Sequence, residues 1–336
     1  MSNKDSDSDA GEGRCQSCMS STKDKFNGFL SFLWNPQEKT VLGRGGKSWG
    51  RILIFYMFYY AFLAALFAIS MTIVLGTLDP DVPRFQTRLQ APGISVQPKL
   101  NTKTERTSDI IFKQSDAGSY QKYVDTLTDF LAPYSKAKQV DLTDCPLNGS
   151  VKMNQAYSKD SPPPVCKFDI DNLGPCKQPP YGYDKGQPCI LVKVNRIINW
   201  FPVGYTDISK AVGNADSNAP PLKDVLMARN RPYNPKRLYI SCYDATSGNK
   251  TNLNTAAGVS ANTVYFPEDN GMPFTYYPYY GLNLQPEYRS PLVAVQFMNV
   301  KRNVEVRVRC KAYALNIVDS KRMSTGYFTF TLQVNE

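Results

Sequence analysis

The sequence predicts a mainly β outer domain carried on a single transmembrane α-helix, and three observations predict it. From Ile52 to Leu78 the chain runs for about 27 residues without a charge, where roughly 20 already span a bilayer. Beyond that run, apolar residues alternate with polar ones at period two, most clearly at Val304, Val306, Val308 and Cys310 against Glu305, Arg307, Arg309 and Lys311. Six cysteines, Cys145, Cys166, Cys176, Cys189, Cys242 and Cys310, all lie on the far side of the span.

Taken in order, residues 1–25 are Ser, Asp, Lys and Gly with little to bury, a composition that predicts disorder. Cys15 and Cys18 form a lone pair without the further ligands a zinc site needs. Phe26, Phe29, Leu30 and Leu33 share one helical face, so 26–34 is predicted as an amphipathic segment lying along the membrane interface and stopped by Asn35-Pro36. Gly46-Lys47-Ser48 imitates a phosphate loop. The motif's first glycine would stand at 41, which is Val41, and a membrane helix follows instead of a soluble one.

The span from Ile52 to Leu78 starts too late and runs too long for a cleaved leader, so it reads as a signal-anchor. Lys39, Arg44, Lys47 and Arg51 precede it, whereas Asp79 and Asp81 follow, which places the N-terminus in the cytosol. The protein is thus expected to be a single-pass type II membrane protein. Asp79-Pro80 through Ala91-Pro92-Gly93 predicts an extended stalk, because proline forbids a continuing helix. Tyr120, Tyr123, Val124, Leu127, Phe130 and Leu131 recur at three and four, predicting one outer helix that ends at Pro133.

The remainder reads as strands at Ile190–Val194 directly after Cys189, Leu238–Cys242, Leu292–Phe297, Val304–Lys311 and Phe328–Val334. Cys242 and Cys310 fall on the inward faces of two of them. A disulfide joining facing sheets is the immunoglobulin arrangement. The fold class is therefore an Ig-like β-sandwich ectodomain with long insertions and one flanking helix. Spacing alone leaves the cysteine pairing open, sequential pairing being the simplest. The domain plan is a cytoplasmic tail (1–51), the span (52–78), an extracellular stalk (79–115) and a disulfide-stapled ectodomain (116–336).

The net charge of +10 is scattered and mixed with acids, unlike a nucleic-acid surface. No histidine is present, which removes Ser-His-Asp and Cys-His catalysis and every His-containing zinc site. Asp169-Ile-Asp171 matches the metal-binding triplet of lumenal glycosyltransferases, which share this topology, but it sits in a proline-rich loop between Cys166 and Cys176 without alternating strands and helices. No catalytic residue, cofactor or metal is expected. Asn148-Gly-Ser150 and Asn249-Lys-Thr251 are glycosylation sequons on the outer side.

Two features point to a protein partner. Tyr56 and Tyr60 share a helix face within the span, and Ala61 and Ala65, with Ala64 and Ala68, permit close approach of another helix. The competing reading makes the tyrosines belt residues at the cytosolic interface. Outside, Tyr276-Tyr277-Pro278-Tyr279-Tyr280-Gly281 gathers four hydroxyls that each need a partner, which suits an interface; packing on the domain's own loops competes with it.

In these motifs the chain resembles the β-subunits of sodium/potassium-transporting and proton/potassium-transporting ATPases. The resemblance rests on Phe32-Leu-Trp-Asn35, Leu42-Gly-Arg44 with Ser48-Trp49, Phe55-Tyr56 with Tyr60 and Leu63-Ala64. Outside it rests on Ala91-Pro-Gly93, Cys189 with Asn195-Arg-Ile197, Tyr276–Gly281, Leu292–Phe297 and Cys310-Lys-Ala-Tyr313. It implies disulfides Cys145–Cys166, Cys176–Cys189 and Cys242–Cys310. It implies a catalytic α-subunit as partner at Tyr56, Tyr60 and the tyrosine–proline block, with a small single-span regulatory subunit as a further partner beside membrane lipid. It also implies a non-catalytic role at the plasma membrane, in folding, assembling and delivering α and in adjusting its affinity for extracellular potassium. Leu282 departs from the lysine that usually follows the block, and Phe58 and Tyr59 make the span more aromatic than usual. Two other classes compete: a cell-adhesion glycoprotein, and a lumenal transferase dependent on Asp169 and Asp171.

Overall fold

A computed structural model describes residues 32–79, 81–83, 91–100, 109–146, 157, 161–211, 219–227, 230–245, 253, 255–256, 259–260, 263–318 and 325–336. The chain divides into two compact units, up to Leu78 and from Asp79 onward.

In the first unit, strands β1 (Trp34–Asn35), β2 (Thr40–Val41) and β3 (Arg44–Gly45) form a small antiparallel sheet in that order. Asn35 builds its first turn, its side-chain oxygen accepting from the backbone N–H groups of Gln37 (3.0 Å) and Glu38 (3.3 Å). In the segment 26–34 the helical reading ends at Leu33: Trp34 is in a strand, because Asn35-Pro36 turns the chain back. Its residues 26–31, like the tail 1–25, lie outside the described residues. Helix α1 (Gly46–Gly76) then follows, beginning six residues before the uncharged run, with Thr77 and Leu78 closing its last turn on Val74 and Leu75. Its 31 residues make it about 46 Å long, against roughly 30 Å of bilayer hydrocarbon. Among the described residues it is the one helix long and apolar enough to cross a membrane.

The second unit contains β4 (Ile94–Gln97), β5 (Ile110–Lys113), α2 (Ala117–Leu131), β6 (Cys189–Val194), α3 (Leu222–Met227), β7 (Arg237–Asp244), β8 (Thr255–Ala256), β9 (Val259–Ser260), β10 (Thr263–Phe266), β11 (Gly271–Pro273), β12 (Val293–Phe297), β13 (Val306–Tyr313) and β14 (Tyr327–Asn335). One sheet runs β10-β12-β6-β4 and the other β11-β7-β13-β14-β5, while β8 and β9 pair alone. Val96, Ile190, Val192 and Val295 of the first sheet share one buried core with Ile240, Val308, Phe330 and Leu332 of the second. Strand β12 is buried at all five positions, including the one polar residue, Gln296, whose side-chain amide donates to the Gln187 carbonyl at 3.3 Å. In β13 the alternation holds through Cys310 and ends at Lys311, which is buried with its ammonium over the Tyr313 ring.

Helix α2 forms where the three–four spacing places it. Asp116 caps it by accepting from the Gly118 N–H, and Tyr123, Val124, Leu127 and Leu131 face the core. At Pro133 it passes into a single 3-10 turn. The short α3, with Leu222, Val225 and Leu226 buried, is a second helix of this unit that the periodicity did not predict.

Two expectations are corrected. The stretch read as a stalk contributes β4 and β5 to the sheets: Ile94, Val96, Ile110 and Phe112 are buried, β4 pairs antiparallel with β6, and β5 pairs parallel with β14. Four-residue strands between prolines give too few periods to be distinguished from extended linker. The other correction concerns Cys242 and Cys310. They sit directly opposite each other on adjacent strands β7 and β13 of one sheet, Cα atoms 3.9 Å apart, so their disulfide does not bridge facing sheets. Of the other two, Cys145–Cys166 closes a loop beside the Thr143–Cys166 bridge, and Cys176–Cys189 ties a 3-10 segment to the start of β6.

Candidate functional site

On α1 the aromatic residues form a connected set. Tyr56 and Tyr60, one turn apart, stack with centroids 6.0 Å apart and planes at 26°. Tyr59 lies edge-on to both, at 6.3 and 5.5 Å, and stacks on Phe55 at 6.2 Å. At about 100° per residue, Ala64 and Ala68 fall between the line of Tyr60 and that of Ala61 and Ala65. The tyrosines and alanines therefore make one continuous strip over about half of the helix circumference.

No residue of α1 is buried. Ser70 and Thr72 return their hydroxyls to the carbonyls of Leu66 and Ala68 at 2.8 Å. A phenol reaches too far from its own backbone to do this, so in hydrocarbon it gains from a partner helix.

The Tyr276–Gly281 block behaves differently. Tyr276 and Tyr277 are buried, and Tyr279 and Tyr280 are half-buried. The Tyr276 hydroxyl donates to the Lys167 carbonyl (2.9 Å), while its own carbonyl accepts from the Tyr288 hydroxyl (2.9 Å). Tyr277 meets Trp200 edge-on at 5.8 Å and points its hydroxyl at the Met272 sulfur. Tyr279 packs on Tyr288 at 4.8 Å, and the Arg196 guanidinium lies over both rings at 5.4 and 5.2 Å. Arg196 is held there by Ser290 Oγ and the Tyr288 carbonyl, both at 3.2 Å. Tyr280 lies edge-on to Tyr157 at 4.9 Å, and its backbone N–H donates to Gln285 Oε1.

Desolvation pushes the phenols of Tyr134 and Tyr276 up to about 12 and raises those of Tyr277 and Tyr288 well above the ordinary value. Of the two readings of the block, packing on the domain's own loops describes Tyr276 and Tyr277, which are interior, while Tyr279 and Tyr280 stay half-buried. Of the residues that complete the cluster, Arg196 is marked in the sequence only by the Asn195-Arg-Ile197 motif, and Gln285 and Tyr288 carry no signal of their own in a single sequence.

The block ends against the first residues of the second unit. Gly281 has φ of +100°, and a Cβ there would come within 3.3 Å of the Asp81 carbonyl oxygen and 3.4 Å of Ile198. Asn283 donates to the Asp81 carboxylate (3.1 Å), and Asp79 accepts from the N–H groups of Asp81 and Val82. Leu282, between them, is 65% exposed and is the uncovered apolar side chain of this corner.

Asp169 and Asp171 have structural partners. Asp169 accepts from the Asp171 N–H at the start of the 3-10 segment. Asp171 pairs with Lys136 and with Lys177 (2.8 Å), which hold its carboxyl down at about 2. Among the described residues no group of three potential ligands gathers for a metal. Asn148, Asn249, Cys15 and Cys18 lie outside the described residues.

Comparison with known proteins gives a consistent result. Residues 19–330 match the family model described as the sodium/potassium ATPase beta chain. The sodium/potassium-transporting ATPase subunit beta-1 of Tetronarce californica is 34% identical over 325 residues, covering 93% of this chain and 97% of its own. Subunit beta-2 of Homo sapiens is 32% identical over 312 residues, covering 91% and 93%. Subunit beta-2 of Rhinella marina is 31% identical over 317 residues, covering 90% and 93%.

Proposed function

The chain belongs to the sodium/potassium ATPase beta chain family, and from that premise we propose that it is the non-catalytic β-subunit of a sodium/potassium pump. Its partner is the catalytic α-subunit, whose membrane helices receive α1. ATP hydrolysis and ion transport belong to α, while this chain assists its folding, assembly and delivery to the plasma membrane and adjusts its affinity for extracellular potassium. A small single-span regulatory subunit is a further partner of the assembled pump.

In this reading residues 1–51 are cytoplasmic, and everything after the span is extracellular, with Asn148 and Asn249 carrying glycans and three sequential disulfides stapling an Ig-like two-sheet domain. One observation carries the proposal: α1 presents a half-circumference strip of stacked tyrosines and alanines that no other part of the described chain covers. A face of that composition is built for a neighbouring helix. The corner at Gly281, Leu282 and Asn283, bonded to Asp81 just beyond the span, is the proposed outer contact.

The test is purification of the tagged full chain from its native membrane in mild detergent. A many-spanning ATPase of much larger mass should accompany it in stoichiometric amount. Recovery of the chain alone, from cells that contain the pump, would overturn the proposal.

A further inference from the structure

In the β1–β3 sheet, Trp34 pairs with Val41 and Val41 with Arg44, so Trp34 and Arg44 flank Val41 on one face. Trp34 is 60% exposed and Arg44 is exposed. Phe32, also exposed, lies against the turn at Gly43, and Leu42 is exposed beside it.

The sheet is fixed to α1: the Trp49 indole N–H donates to the Val41 carbonyl at 2.9 Å. Lys47 and Arg51 are both exposed and, four residues apart, point from one side of the first turns of α1. Over residues 32–51 the charges are Lys39, Arg44, Lys47 and Arg51 against Glu38 alone.

Depth follows from length. The uncharged run starts at Ile52, so Arg51 marks the edge of the hydrocarbon and Lys47 stands about 6 Å further out along the axis. Since α1 is longer than the hydrocarbon is thick, these turns project into the headgroup layer, and the Trp49 bond holds the sheet there with them. A tryptophan and a phenylalanine at that depth anchor in the interface, and the cations beside them face phosphate.

We propose that the β1–β3 sheet and the first turns of α1 form a docking face for anionic phospholipid headgroups, with Trp34 and Phe32 seated among the acyl–headgroup boundary and Arg44, Lys47 and Arg51 on the phosphate and carboxylate groups. Charge complementarity and continuity with the span assign the occupant. The face stands on the N-terminal side of the membrane, and glycan attachment at Asn148 or Asn249 reports that orientation separately from lipid selectivity.

The experiment is native mass spectrometry of the detergent-solubilised full chain, presented with equimolar phosphatidylserine and phosphatidylcholine of identical acyl chains. Phosphatidylserine should be retained in preference by about tenfold, and the preference should fall as salt rises. The variant Arg44→Gln/Lys47→Gln/Arg51→Gln should bring the ratio close to one. Lys185→Gln/Lys223→Gln/Lys301→Gln, which removes the same charge from the outer unit, should leave it unchanged. Trp34→Ala should lower retention of both lipids without abolishing the preference. Equal retention by the unaltered chain, or the same loss in both triple variants, would overturn the proposal. Retention of a partner protein through Trp34 and Arg44 without lipid selectivity would assign the face to protein and overturn it as well.

Discussion

The membrane helix and the Tyr276–Gly281 block carry the same sequence signal, tyrosines clustered within a few residues, and the molecule treats them in opposite ways. In the block, Tyr276 and Tyr277 are buried and the surrounding loops answer the rings: Lys167 accepts from one hydroxyl, Trp200 packs on the second ring, and Arg196 lies over Tyr279 and Tyr288. On α1, Tyr56, Tyr59 and Tyr60 touch one another and no residue of the helix is buried. Clustered phenols therefore mark demand for partners without saying where the partners come from. The block finds partners within the chain, whereas the helix leaves its phenols without cover from buried neighbours, and the proposed function assigns that demand to a second protein.

Variants should separate the two regions, beginning with the largest effect. Tyr277→Ala removes a buried ring from the ectodomain core and should destabilise the outer unit by about 3–5 kcal/mol in denaturant unfolding. An effect within about 0.5 kcal/mol would mean that the ring is not buried as described. Gly281→Ala forces a side chain into a positive-φ position against the Asp81 carbonyl and should cost about 1–3 kcal/mol by the same measurement.

Titration sharpens the comparison further. The raised phenols of Tyr134, Tyr239 and Tyr276, each pushed up to about 12 by desolvation, contribute stability that is complete below the ordinary value of 10 and is lost as pH rises toward 12. Difference absorbance should show these three phenols ionising only with unfolding across that window; their ionisation at 10 in the folded protein would contradict their burial. The smallest effect is at Asp171. Its lowered carboxyl contributes stability that is present above 3.8 and lost as pH falls through about 2, so Asp171→Asn should flatten the acid limb of the stability profile. An unchanged limb would show that the Lys136 and Lys177 contacts carry no weight in solution.

Much of the fold was legible in the residues, for identifiable reasons. The span announced itself by length without charge, α2 by three–four spacing, and β13 by alternation over several periods. The Cys242–Cys310 disulfide was misread because alternation tells only which face a side chain takes. Adjacent strands in one sheet and strands in facing sheets satisfy it equally well. Strands β4 and β5 were too short to show a period, and α3 is a single buried turn and a half. The tyrosine block left two readings open because Arg196, Gln285 and Tyr288 come from loops near or far in sequence that only the fold assembles. The strip on α1 was legible, since helix geometry alone places Tyr56, Tyr60, Ala61 and Ala65.

The most direct test of the contrast is the double variant Tyr56→Leu/Tyr60→Leu in the full chain, expressed with the catalytic α-subunit and captured in mild detergent. Membrane insertion and ectodomain unfolding should match the unaltered chain, while recovery of α falls or its activation by potassium shifts. Full recovery of α with unchanged potassium activation would contradict the account and leave these tyrosines as interfacial belt residues.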